Sequence, residues 1–135
     1  ADHEVPTVVG RLVTTRDGAE RLAVPEPGAG RTGVYLETVR RLRRLPGHPL
    51  VLGSMLGPFS LAARLYGVSE ALGLTIEDTD LTHVLLEKAT AFLAAYAKAF
   101  KAAGADGLVM AEPTAGLLSP LAMAAFSSAY IRRIV

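Results

Sequence analysis

Two short apolar runs, separated by a long amphipathic helix, predict a parallel α/β fold. The runs are Leu50-Val51-Leu52-Gly53-Ser54-Met55-Leu56 and Gly107-Leu108-Val109-Met110-Ala111. Near-continuous apolar sequence of this length marks strands covered on both faces, as in parallel sheets. The order of elements is the third observation. Strand, helices, strand, helix is a βαβα unit with a right-handed crossover.

Taken in order, Pro6 to Thr15 is β-prone (Val8, Val9, Leu12, Val13, Thr14, Thr15) but broken by Gly10, so it reads as a short third strand or an extended loop. Arg16 to Leu22 can form a short helix. Pro25, Pro27, Gly28 and Gly30 make a turn-rich connector. Thr32 to Leu45 is helical, with Tyr35, Leu36, Val39, Leu42 and Leu45 on an inner stripe and Glu37 and Arg41 as an exposed pair. Pro46-Gly47 stops it.

Pro58 fits the first turn of the helix after the first strand, where its missing N–H costs nothing. That helix runs to Gly67, and a short helical piece follows at Ser69 to Leu72. The clearest helix spans Asp80 to Ala103, through Leu81, Leu85, Ala89, Phe92, Tyr96 and Phe100. Thr79 or Asp80 can cap its start, and Gly104 can end it in a left-handed conformation. Ser119-Pro120 opens a last helix, with Met123, Phe126 or Ser127, Tyr130 and Ile134 facing inward.

The chain has 135 residues, half of them hydrophobic, a fifth charged, with a net charge of +1 and no cysteine. This argues for a packed core and against disorder. It gives no global bias toward nucleic acid or anionic membranes. Disulfides and Cys-ligated metal are excluded within these residues. No apolar run nears the roughly 20 residues of a membrane span, and no secretory signal is visible. A cytoplasmic protein is expected.

Two or three parallel strands make a thin sheet with hydrophobic edges. Either more chain completes it, or a second copy does so as a homodimer. The missing initiator Met and the end at Ile134-Val135, inside a helical pattern, favour a segment of a longer protein.

Ligands of parallel α/β proteins bind at the carboxyl ends of strands. That selects Ser54, Met55, Gly57, Ser60 and Arg64 after the first strand, and Glu112, Thr114 and Ser119 after the second. Glu112 can bind a polar ligand or handle protons; equally, it can cap a nearby helix or pair with an Arg. Arg64 can grip a carboxylate or phosphate, or lie solvated on the surface. His3, His48 and His83 show no metal spacing. Arg40, Arg41, Arg43 and Arg44 read as a solvated helix face and C-terminus, not a nucleic-acid site. Gly28-Ala29-Gly30 does not follow a strand as a dinucleotide fingerprint requires.

Gly57-Pro58-Phe59-Ser60-Leu61-Ala62-Ala63 resembles the G-P-[FW]-[ST]-L-A motif of the uroporphyrinogen decarboxylase superfamily. Leu85 to Lys98, with Ala103-Gly104-Ala105-Asp106, is similar to that family's long helix and the strand after it. Ala111-Glu112-Pro113 and Leu118-Ser119-Pro120 resemble the [AD]-[DE]-P…[IL]-S-P pattern of its methyltransferase branch, and Val24-Pro25-Glu26-Pro27 is similar to a family connector. The resemblance spans almost the whole chain.

It implies a TIM-like (β/α)8 barrel, of which these residues are a middle segment incomplete at both ends. It implies one of two activities: cofactor-free decarboxylation of a porphyrinogen, or transfer of a methyl group from a corrinoid to a thiol such as coenzyme M. Decarboxylases of the family carry Tyr where this chain has Arg64 and Ser where it has Pro113, which favours the methyltransferase branch. That branch implies zinc held by a His and two Cys from later strands, and a small-molecule substrate or corrinoid protein as partner. Ser54, Gly57, Ser60, Arg64 and Glu112 are the substrate-binding candidates. No metal or cofactor is expected to be bound by the segment itself, and the isolated segment is expected to be inactive.

Overall fold

A computed structural model describes residues 8–135. Its sheet has two parallel strands, β1 (Leu52–Leu56) and β2 (Gly107–Ala111), paired Leu52 to Gly107 through Leu56 to Ala111. Helices α1 (Arg16–Arg21) and α2 (Thr32–Arg43) precede β1. Helices α3 (Pro58–Tyr66), α4 (Val68–Glu77) and α5 (Thr79–Ala103) make the crossover. After β2 come a 3₁₀ turn (Pro113–Leu117), α6 (Pro120–Met123), a π-helical turn (Ala124–Ser128) and α7 (Ala129–Ile131). This is the α/β architecture of a piece of a (β/α)8 barrel.

Of the two readings of the first run, a strand or an extended loop, the described residues take the loop. Residues 8–15 pair with no strand, Gly10 turns with φ +75°, and Val9 is almost fully exposed. Instead the Leu12 and Val13 N–H groups donate to the Leu65 carbonyl, and Val13 is buried against the helices. Residues 6 and 7 of that run, and His3, lie outside the described residues.

The long helix α5 organises the core. Asp78 caps it, accepting from the Leu81 N–H at 2.9 Å. The cap therefore lies one residue before the two positions expected, because Asp78 is extended while Thr79 and Asp80 are already helical. Gly104 closes the helix at φ +102°, ψ +17°, the left-handed conformation expected. Two apolar clusters share α5. One gathers Phe59, Leu74, Leu85, Leu86 and Phe126; the other gathers Val39, Met55, Leu93, Tyr96 and Phe100.

Burial along β1 alternates. Gly53 and Met55 turn to α5, whereas Leu52 and Ser54 are exposed on the opposite face. A Cβ on Gly53 would come within 2.7 Å of the Phe100 ring, so the strand needs glycine there for close approach. In β2, Val109 pairs with Ser54 and is half exposed. The expectation of strands buried on both faces is thus corrected: within this chain one face is covered and the other is open. Leu50 precedes the strand and is exposed.

Helix α2 docks on α5 through Leu36 and Val39. Tyr35, expected in the core, is half exposed because it sits one residue off that line. Leu42 is also partly exposed, and Leu45 lies beyond the helix end and is exposed. Helix α4 runs ten residues, longer than the short piece expected. Gly67, at φ +108°, makes the sharp joint between α3 and α4. Among the described residues no helix is long and apolar enough to cross a membrane.

Candidate functional site at the strand ends

β1 and β2 end level, because the Gly57 N–H donates to the Ala111 carbonyl at 2.7 Å. Each strand then delivers a short motif to the same rim. Gly57 is extended and Pro58 occupies the first helical turn, so α3 starts immediately with free N–H groups pointing back at the rim.

Glu112 fills that helix start. Its Oε2 accepts the Phe59 N–H at 3.0 Å and its Oε1 accepts the Ser60 N–H at 2.6 Å. The Ser127 hydroxyl donates to Oε2 at 3.0 Å. A carboxylate here is doubly favoured, by direct hydrogen bonds and by the positive end of the helix dipole. Of the two readings open from sequence, the cap is the one the geometry realises.

Gly57 makes room for this arrangement. A Cβ there would lie 2.5 Å from Glu112 Cδ. Its backbone angles are ordinary, so the requirement is space, not conformation. Ser60 is buried, and its hydroxyl accepts the Thr114 N–H at 3.1 Å, tying the 3₁₀ turn to α3.

Three of the five candidates, Gly57, Ser60 and Glu112, therefore form one inward-facing knot. Ser54 stands on the open face of β1. Arg64 is exposed on α3 and makes no ion pair among the described residues. Ser127 was read only as a stripe position; its bond to Glu112 was missed. The available signal was a hydroxyl on an otherwise apolar helix face.

A groove of about 580 Å³ runs along the free edge of β1. Tyr35, Val39, Leu61, Phe92 and Tyr96 give it apolar walls, and Ser54 borders it.

The two histidines among the described residues are engaged elsewhere. His83 is exposed, with Nδ1 2.6 Å from the Tyr130 hydroxyl and its ring against Phe126. Burial pushes the Tyr130 phenol up. Nearby, Arg133 grips Glu87 with both terminal nitrogens and holds its carboxyl below the usual range. His48 lies at the amino end of the sheet, with Nδ1 3.0 Å from the Pro49 carbonyl.

That same end is latched by Asp106. Its carboxylate accepts the Val51 N–H at 2.9 Å and pairs with Arg43 at 3.0 Å. The Val51 N–H, then the Arg43 and His48 charges, hold the Asp106 carboxyl below its ordinary value.

Among the described residues no three His, Asp or Glu side chains are grouped to hold a metal ion, and the chain has no cysteine. The residues present do not fit a zinc centre.

Fold and site together define a piece of an α/β barrel whose rim is built from two motif-bearing strand ends. The sequence pattern of the uroporphyrinogen decarboxylase (URO-D) family matches residues 1–135, and the chain belongs to that family. It is 34% identical over 111 residues to the methylcobamide:CoM methyltransferase MtbA of Methanosarcina acetivorans, covering 82% of this chain and 32% of that protein. It is 29% identical over 132 residues to the uroporphyrinogen decarboxylase of Colwellia psychrerythraea, covering 93% of this chain and 37% of that one. A solved methyltransferase from Methanosarcina mazei superposes with a TM-score of 0.85 at 31% identity, covering 97% of this chain and 40% of the other. The chain thus spans about a third of the length of the curated relatives it matches.

Proposed function

We propose that this chain is the middle part of a barrel enzyme that moves a methyl group from a corrinoid to a thiol. Pro113 carries this reading. It follows Glu112 at the rim, where the resemblance places a serine in decarboxylases. Proline offers neither a hydroxyl nor an N–H, and here, itself exposed, it starts the 3₁₀ turn. Arg64 replaces the decarboxylase tyrosine in the same way, and the methyltransferase relatives and structural neighbour lend further support.

Gly57, Ser60 and Glu112 shape the rim, while Ser54 and Arg64 are the groups left free to meet a ligand. The open face of Leu52, Val109 and Ala111 gives an apolar wall that excludes water, and Ser54 supplies one hydrogen-bonding group on it. Arg64 suits the anionic end of a thiol substrate. The described residues group no zinc ligands, so a zinc ion that would supply thiolate chemistry would have to be held by other residues.

The second reading, decarboxylation of a uroporphyrinogen, draws on the longer match to the Colwellia protein. The test is to incubate the intact polypeptide carrying this sequence, zinc-loaded, with methylcobalamin and coenzyme M. Formation of methyl thioether is expected. No thioether, with carbon dioxide released from uroporphyrinogen, overturns the proposal.

A further inference from the structure

Glu112 and Ser127 join the last helix to the start of α3 through one shared carboxylate. Both carboxylate oxygens accept backbone N–H groups, and Oε2 accepts the Ser127 hydroxyl as well. Backbone N–H groups are donors only. Removing that carboxylate would orphan both N–H groups at the start of α3.

Ser127 reaches the carboxylate because of the π-helical turn. In a regular α-helix, neighbouring residues point about 100° apart. Across Ala124–Ser128 the widened turn buries Phe126 and Ser127 side by side. Phe126 enters the core, while Ser127 takes the polar contact. Such turns are often retained for function, since they cost hydrogen-bond geometry.

We infer that Glu112 and Ser127 are a positioning pair, which locks the rim turn Pro113–Leu117 and the last helix to the end of β1 and the start of α3. The inference uses the methyl-transfer reading only for its kinetic readout. Gly57 belongs to the same device, since any side chain there displaces the carboxylate.

The test uses the intact polypeptide with Ser127→Ala, Ser127→Thr and Glu112→Gln. Ser127→Ala and Glu112→Gln should lower kcat between about tenfold and a hundredfold through misplacement of the rim. Ser127→Thr, which keeps the hydroxyl, should restore most of it. Independently of activity, the Phe59 and Ser60 amide-proton resonances should move in Ser127→Ala and Glu112→Gln but not in Ser127→Thr. Unmoved Phe59 and Ser60 resonances in Ser127→Ala and Glu112→Gln, or no recovery of kcat in Ser127→Thr, overturns the inference. A wild type without methyl transfer refutes the proposed activity alone, and the resonances still judge the pair.

Discussion

The Glu112 carboxylate accepts the Ser60 backbone N–H at 2.6 Å, joining the end of one strand to the helix that follows the other. The Phe59 N–H lies on the second oxygen, so removing the side chain orphans two donors. Glu112→Ala should destabilise the fold by about 2–3 kcal/mol. Glu112→Gln, which keeps one acceptor, should cost about half of that. Urea denaturation of the intact polypeptide measures both; a loss within experimental error for Glu112→Ala would mean the cap is not formed in solution.

Gly57→Ala should act through the same carboxylate. The added methyl would stand 2.5 Å from Glu112 Cδ, and the three bonds on that carboxylate prevent it from swinging aside freely. A loss of about 1–3 kcal/mol is expected, the usual cost of overpacking. In a Glu112→Ala background the clash is gone, so the second substitution should add little. Full additivity of the two losses would contradict the contact.

Asp106 gives stability an acid limb. Its native value is depressed, so its contribution is fully present above the ordinary aspartate value, near pH 4. It is lost as pH falls further through the native value. Asp106→Asn should therefore flatten the stability-against-pH curve below about pH 4. A variant that keeps the wild-type acid slope would show that other carboxylates carry it.

Arg64 separates stability from binding. The side chain is exposed and makes no ion pair among the described residues, so Arg64→Ala should change stability by no more than about 0.5 kcal/mol. If Arg64 meets an anionic thiol, KM for that thiol should rise about tenfold, the worth of one charged hydrogen bond. Unchanged KM would assign Arg64 to the solvated surface.

Much of the fold was legible because local chemistry dictated it. Gly57-Pro58 announced a strand-to-helix turn, Gly104 a left-handed helix end, and Ser119-Pro120 a capped helix start. Strand polarity alone then put Gly57, Ser60 and Glu112 at one rim. What misled was whatever depends on neighbours. Continuous apolar sequence in β1 and β2 could not say that Leu52 and Val109 face an open side while Met55 faces α5. Tyr35 left its expected place for the same reason: periodicity gives a stripe, but not its width or its partner. Ser127 escaped because no 3.6-residue pattern anticipates a π-helical turn.

The most direct test of the account is partition between the two family reactions. One preparation of the intact, zinc-loaded polypeptide is offered methylcobalamin with coenzyme M, and separately uroporphyrinogen, and both products are quantified. The account predicts methyl thioether and no carbon dioxide above the enzyme-free control. Carbon dioxide release with no thioether would contradict it, and would show that Pro113 and Arg64 do not mark the methyltransferase branch.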